Sequence, residues 1–375
     1  MSPQLFIGLM SGTSLDGVDG VLAAFAPGPA HGLQVVAHAH RPFAPALAGE
    51  LLALNTAGVD EVHRGALAGN ALARLCAEVV GELLARGRVA ANAVRAIGAH
   101  GQTVRHRPGE FDGVGYTVQL NNPALLAELC GIDVVADFRS RDVAAKGQGA
   151  PLVPAFHRAV FGRAGEALAV LNLGGIGNLT ALGADGSTIG FDCGPGNALM
   201  DHWCQQHRGE AFDRGGAWAA SGRVDARLLQ RLCSEPYFSR SPPKSTGRDL
   251  FNPAWLSRML DAAAGAPAPV DVQATLAELS AWAAAQAVVQ QAPQARRLLV
   301  CGGGAFNAHL MSRIAARLPG VAVGSTDEDG LPAQQVEAAA FAWLAKAFVE
   351  RSPGNLPAVT GARGPRVLGA LYPGV

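Results

Sequence analysis

The sequence predicts a two-lobed α/β protein built from a duplicated unit, with a cleft between the copies. Three observations carry that expectation. The 375 residues are enough for two domains of ordinary size. An apolar run, a small polar turn with glycines and a second apolar run open the chain at Leu5–Phe25, and the same shape returns at Ala167–Leu182. Glycine clusters, drawn from a total of 47 glycines, recur at three strand ends. Two lobes that each open with a glycine-turned hairpin read as copies of one unit. The expected bounds are 1–135 for the N-terminal lobe and 136–349 for the C-terminal lobe. The Pro/Gly-rich tail 350–375 is expected to pack back on the first.

Taken in order, Leu5–Met10 and Val18–Phe25 read as strands joined by a polar turn, and Leu33–Ala37 as a third strand. Pro45–Leu54 and Asp60–Arg86 carry helical periodicity, the second with Leu67, Leu72, Leu75, Val79, Leu83 and Leu84 near one face. Ile97–His100, Tyr116–Leu120 and Ile132–Ala136 read as short strands, and Gly147–Pro154 as the approach to the second lobe. In the second half, Thr275 and Glu278 have capping-box spacing ahead of Leu279–Gln291. Arg297–Cys301 is a buried strand, and Gln334–Glu350 a helix with Val336, Ala340, Trp343, Leu344 and Phe348 at core spacing.

Composition narrows the function. Lys+Arg and Asp+Glu balance at 30 each, so no basic field is available for nucleic acid or an anionic membrane. No run reaches the 18 or more apolar residues of a membrane span. The N-terminus lacks a signal-like pattern. The six cysteines include no C-x-x-C pair and no zinc spacing, which fits a reduced, cytoplasmic enzyme.

Three turns can carry chemistry. In Gly8-Leu-Met-Ser-Gly-Thr-Ser-Leu-Asp-Gly-Val-Asp19, residues Gly12, Thr13, Ser14 and Gly17 offer backbone N–H groups and hydroxyls to one anion. Asp16 and Asp19 suit Mg²⁺ held through water. A plain hairpin with an Asp-Gly turn is the alternative. In Gly190-Phe-Asp-Cys-Gly-Pro-Gly-Asn197, Asp192 stands at a strand end, placed either as a general base beside a phosphoryl group or as a cap for the next helix. Gly302, Gly303 and Gly304 leave a flat backbone surface for adenine or ribose. The segment His100–Arg107 could line a sugar site through His100, Gln102 and Thr103. Asp137–Asp142 could meet a substrate anion through Arg139 or Arg141. In both segments a solvated loop is the alternative. Glu337 either reaches a site or complements a helix N-terminus.

At these residues the chain resembles a known family. Gly8–Asp19, His100-Gly-Gln-Thr-Val104, Ala136-Asp-Phe-Arg139, Gly147-Gln-Gly-Ala-Pro-Leu152, Asn172-Leu-Gly-Gly-Ile-Gly-Asn178 and Gly194-Pro-Gly-Asn197 are together similar to anhydro-N-acetylmuramic acid kinases, from about Ile7 to Ala345. The resemblance implies an actin/Hsp70/hexokinase-like fold, a duplicated ribonuclease H-like architecture with an interlobe cleft. It implies conversion of 1,6-anhydro-N-acetylmuramic acid to N-acetylmuramic acid 6-phosphate with ATP and Mg²⁺ in cell-wall recycling, and a homodimer. It places ATP phosphates on Gly12, Thr13, Ser14, Leu15, Asp16, Gly17, Val18 and Asp19, and assigns the catalytic base to Asp192. With the glycine turns, the expected nucleotide set adds Gly174, Gly175, Asn178, Gly194, Gly196, Asn197, Gly302, Gly303 and Gly304. His100, Gln102, Thr103 and Glu337 are expected to hold the sugar. Two residues depart from the family pattern: Cys193, where a hydroxyl residue is common, and Lys146, where a second glycine is usual. A kinase acting on an ordinary sugar hydroxyl and a non-enzymatic nucleotide switch are the competing readings.

Overall fold

Apolar residues on both faces of the first strand demand a layer on each side, and the chain supplies one helix for each. The computed structural model describes residues 3–12, 14–26, 32–247, 250–261 and 267–374. They divide into two units, Met1–Val160 with Gln335–Val375, and Phe161–Gln334.

In the first unit, β1 (Gln4–Met10), β2 (Gly17–Phe25) and β3 (Leu33–Pro42) form an antiparallel meander. β4 (Val94–Ala99) returns parallel to β1. A separate antiparallel ribbon, β5 (Gln102–Pro108) and β6 (Gly115–Leu120), follows, and β7 (Val134–Ala136) then pairs parallel with β4. The helix Glu61–Gly87 covers one face through Gly65, Gly69, Leu72, Cys76, Val79 and Leu83, a stripe with helical spacing. Leu67, expected on that face, is 55% exposed. The stripe contains glycine, alanine and cysteine, which a search for large apolar residues passes over. On the other face lies the alanine-rich helix Val336–Val349. A Cβ on Gly8 would overlap the carbonyl oxygen of Ala338, and one on Gly98 that of Phe341. Glycine in both strands lets the helix backbone touch the sheet, leaving no gap in the core.

In the second unit, β8 (Leu168–Leu173), β9 (Ile176–Leu182) and β10 (Thr188–Pro195) form another meander. β11 (Arg297–Cys301) pairs parallel with β8, and β12 (Ala322–Ser325) parallel with β11. The strand order β10-β9-β8-β11-β12 repeats β3-β2-β1-β4-β7 with the same directions. This is the ribonuclease H-like topology twice over, and it establishes the duplicated α/β class from the connections themselves. The chain ends in β13 (Ala370–Tyr372), antiparallel to β7 at the edge of the first sheet.

Two expectations need correction. The unit boundaries fall at 160/161 and 334/335 rather than 135/136 and 349/350. β7 belongs to the first sheet, so the chain cannot leave that unit at its start, and Val336–Val349 packs on β1 and β4. Thr275 and Glu278 are not a capping box, because the helix begins at Pro269, which supplies its rigid first turn. The Thr275 hydroxyl donates to the Asp271 carbonyl at 2.6 Å, and Glu278, 3% exposed, accepts from Arg313 and Arg317.

Candidate active site

In each unit the polar residues singled out from the sequence gather at the carboxyl ends of the parallel strands, where open α/β sheets bind ligands. The first unit contributes the β1–β2 turn, the residues after β4 and the residues after β7.

Gly12, Ser14, Leu15 and Asp16 lie between β1 and β2, and Gly17, Val18 and Asp19 begin β2; Thr13 lies outside the described residues. The Leu15 N–H donates to Gly12 O at 3.3 Å, and Leu15 has φ 59°, in the left-handed region that disfavours a branched side chain. The Ser14 hydroxyl donates to Asp16 Oδ1 at 2.8 Å. Asp19 Oδ1 lies 3.2 Å from both His38 Nε2 and His40 Nδ1 on β3. Gly17 is required by packing, since a Cβ would overlap the Arg41 carbonyl. Gly12 leaves an open surface: the nearest atom to a Cβ there is Ser14 Oγ at 3.4 Å.

His100 follows β4 and is anchored by its N–H to Leu9 O at 3.0 Å. Its ring is buried against Phe341, with centroids 4.7 Å apart. Nε2 accepts from Nε and Nη2 of Arg139 at 3.1 and 3.0 Å. Burial, with the Arg139 charge adding to it, pushes the His100 pKa down to about 3, so the imidazole is neutral at physiological pH. Gln102, 1% exposed, has no partner for Oε1, and neither enclosed amide atom of the half-buried Asn121 has one among the described residues. Thr103 Oγ1 accepts from Gln119 Nε2 at 3.3 Å. Unmet hydrogen-bonding capacity at buried polar groups is costly, and its concentration here marks a place for a polar ligand. Asn121 is a candidate that sequence reasoning missed. It stands before Asn122, which caps the next helix by accepting from Leu125 N at 3.0 Å, so the pair reads as helix-start chemistry alone.

Glu337, half-buried in the first turn of Val336–Val349, raises the pKa of Arg139 electrostatically. Burial is the larger influence and brings that guanidinium down to about 10, still charged at neutral pH. Arg139 also donates from Nη1 to Gly149 O at 2.8 Å. The loop bearing Arg139 is fixed by Asp142, which is fully buried. Asp142 Oδ2 accepts from Gly149 N at 2.8 Å, and Oδ1 from Asn355 Nδ2 at 2.6 Å and the Thr360 hydroxyl at 2.8 Å. Lys146 has φ 69°, a conformation that favours glycine, and its Nζ donates to Gly113 O at 2.6 Å in the β5–β6 turn. Arg141 is exposed.

In the second unit one row of paired residues crosses four strands: Cys301 beside Asn172, Asn172 beside Asn178, and Asn178 beside Asp192. Beyond that row the three glycine turns meet. Asn197 N donates to Gly174 O at 2.8 Å, and Gly196 N to Gly175 O at 2.9 Å. Asn197 Nδ2 donates to Leu173 O at 3.0 Å. A Cβ on Gly304 would sit 2.5 Å from Leu173 Cβ and 3.2 Å from Asn197 Oδ1, so this turn packs on the other two. Gly194, Gly196 and Gly302 are likewise demanded by neighbouring atoms, whereas beside Gly174 and Gly303 nothing comes nearer than 3.7 and 3.8 Å. Backbone is therefore approachable at Gly174 and Gly303, and the other glycines allow the turns to converge.

Asp192 sits where β10 is bulged against β9. Its carbonyl accepts from the Tyr237 hydroxyl at 2.7 Å and its Oδ2 from Thr246 N at 3.0 Å. It does not cap the following helix, whose N-cap is Asn197. Cys193 belongs to the hydrophobic core, and burial, with the Asp192 charge adding to it, pushes its thiol pKa up. A buried neutral thiol contributes packing rather than a phosphate contact.

Among the described residues no group of three or more His, Cys, Asp or Glu forms a direct metal site, and no helix is long and apolar enough to cross a membrane. Asp16 with Ser14 Oγ offers the all-oxygen donors Mg²⁺ prefers. Asp19, engaged by two imidazoles, suits contact through a bound water.

Residues 4–374 match the family model described as anhydro-N-acetylmuramic acid kinase. The chain is 64% identical to the protein of that name in Variovorax paradoxus (strain S110), with 100% of both chains covered. It is 60% identical to the one in Cupriavidus metallidurans, covering 99% of this chain and 98% of the relative. The activator of the 2-hydroxyisocaproyl-CoA dehydratase from Clostridium difficile with bound ADPNP overlays with a TM-score of 0.47 at 10% identity, over 93% of this chain and 96% of that one.

Proposed function

This chain belongs to the anhydro-N-acetylmuramic acid kinase family, and from that premise we propose that it converts 1,6-anhydro-N-acetylmuramic acid, water and ATP to N-acetylmuramic acid 6-phosphate and ADP. The observation that carries this reading is Asp192, a carboxylate held by Thr246 N–H and by its own backbone beside converging glycine turns. An inverting glycosidase needs two carboxylates, one to activate water and one to protonate the leaving oxygen. Here O6 is captured by the γ-phosphoryl group, so one base suffices. Asp192 takes a proton from water. The water oxygen bonds to C1 as the C1–O6 bond breaks, and O6 bonds to γ-phosphorus as the bond to ADP breaks.

His100, Gln102, Thr103, Asn121 and Glu337 orient the sugar, with the orphaned amides supplying donors and acceptors to its hydroxyl and acetamido groups. Gly12–Asp19 and the open backbone at Gly174 and Gly303 hold the nucleotide. Asp16 and Asp19 would hold Mg²⁺ through water, and the ion would offset phosphate charge. The same reading places the enzyme in the cytoplasm, as a homodimer, in peptidoglycan recycling.

The test is incubation with ATP, Mg²⁺ and the anhydro-sugar, followed by mass spectrometry of the product. The expected product has gained one water and one phosphoryl group. A product that gained the phosphoryl group alone would show a kinase of an intact hydroxyl, and no product would refute the assignment.

A further inference from the structure

We propose that the Thr246 hydroxyl holds the attacking water against Asp192, accepting the proton that Asp192 does not take. This rests on the hydrolytic reading above.

The segment Lys244–Thr246 belongs to no helix or strand, yet it is clamped to Asp192 twice. The Asp192 N–H donates to Lys244 O at 3.3 Å, and the Thr246 N–H donates to Asp192 Oδ2 at 3.0 Å. Lys244 Nζ lies 4.8 Å from the centroid of the Tyr237 ring, and the Tyr237 hydroxyl donates to the Asp192 carbonyl. Backbone and ring contacts therefore hold the segment in register with the carboxylate. The Thr246 side chain takes no part in that clamp. Its Oγ1 is enclosed and has no hydrogen-bond partner among the described residues. A hydroxyl shut away from bulk water without a partner is costly, and a valine of the same shape would avoid the cost. The neighbouring Ser245 is exposed, so only one hydroxyl of the segment is placed in this way.

The position of this hydroxyl identifies what it meets. Covalent geometry keeps a threonine hydroxyl within about 4 Å of its own nitrogen. That nitrogen is the one bonded to Asp192 Oδ2, so one small molecule can touch both side chains. A carboxylate at this place repels phosphate oxygens and favours a group with protons to give. Water has two. Asp192 takes one of them, and a water held by that bond alone is free to swing about it. The hydroxyl oxygen can accept the other, which fixes both O–H bonds and leaves a lone pair pointing away from both acceptors. In the reaction one proton passes to Asp192 as the water oxygen bonds to C1. The C1–O6 bonding pair goes to O6, which bonds to γ-phosphorus. The second proton stays on the new C1 hydroxyl, and Thr246 neither gains nor loses one.

The experiment compares wild type, Thr246→Val and Thr246→Ser by rapid-quench single turnover, with enzyme in excess over anhydro-sugar and saturating Mg-ATP. ATP affinity is measured by calorimetry and the thermal midpoint by circular dichroism. Valine keeps the N–H on Asp192 and removes only the hydroxyl. The single-turnover rate should fall roughly 10- to 100-fold, the scale of a misplaced reactant. ATP affinity should stay within about threefold of wild type. The midpoint should not fall, because no hydrogen bond is lost. Serine retains the hydroxyl and should restore the rate to within about threefold of wild type. An unimpaired valine variant would overturn the proposal, as would a serine variant as slow as valine. Weakened ATP binding at an unchanged rate would assign the hydroxyl to the nucleotide. A lowered midpoint, or a valine variant that does not fold, would give the hydroxyl a structural partner; either result overturns the role proposed. Failure of the underlying reading shows in the wild type alone. A wild-type product without added water, or no product, refutes the reaction and the role of Thr246 together. A hydrated wild-type product with an unimpaired valine variant refutes the role of Thr246 only.

Discussion

Replacing Asp192 with asparagine is expected to lower kcat by roughly 10²- to 10⁴-fold, the usual range for loss of a general base. The amide has nearly the same shape, and its oxygen can still accept from Thr246 N–H. The bulge in β10 and the Tyr237 hydroxyl bond to the Asp192 carbonyl involve only backbone at this position. Fold and nucleotide binding should therefore survive, with ATP affinity by calorimetry within about threefold of wild type. What is lost is the ability to accept a proton from water. A kcat within a few-fold of wild type would remove Asp192 from the mechanism. Loss of ATP binding in parallel would make it a structural residue of the glycine turns.

The second large effect concerns stability. Asp142→Ala should destabilise the first unit by about 3–5 kcal/mol, because three buried donors lose their acceptor and each unsatisfied group costs about 1–3 kcal/mol. Those donors are Gly149 N–H, the Asn355 amide and the Thr360 hydroxyl, which join the loop after β7 to the C-terminal segment. A Cβ on Gly147 would overlap Asp142 Oδ2, so the loop is folded directly around this carboxylate. Urea unfolding should show an earlier first transition, and hydrogen exchange should show lost protection at Gly149. An unchanged first midpoint would mean that the segment is held by something other than Asp142.

The legible parts of this molecule are those where a local pattern decides the outcome. Arg297–Cys301 is the strand expected from the apolar run, and Val336–Val349 lies within the expected helix. The recurrence of a glycine-turned hairpin translated into two sheets with the same strand order. Other features depend on partners distant in sequence. The boundary after β7 could not be placed locally, since Val134–Ala136 is a short apolar run whose membership is decided by pairing with β4 and β13. The buried face of Glu61–Gly87 was obscured because Gly65, Ala68 and Gly69 face the core while Leu67 faces solvent. At the candidate site, His100 and Gln102 were visible as polar residues at a strand end. That Arg139 holds His100, and that Asn121 lies beside Gly101 with its amide atoms enclosed, became apparent only from the folded chain. The glycines divided in an unforeseen way. Gly12, Gly174 and Gly303 leave open surface, whereas Gly17, Gly196, Gly302 and Gly304 are fixed by their own neighbours.

The central claim is that one carboxylate activates water while the leaving oxygen takes the phosphoryl group. Turnover of the anhydro-sugar with Mg-ATP in ¹⁸O-water tests it directly, because the two oxygens of the product then have different origins. The expected product carries one ¹⁸O at C1 and none between carbon 6 and phosphorus. A phosphorylated product without label at C1, or with label in the C6–O–P bridge, would contradict it.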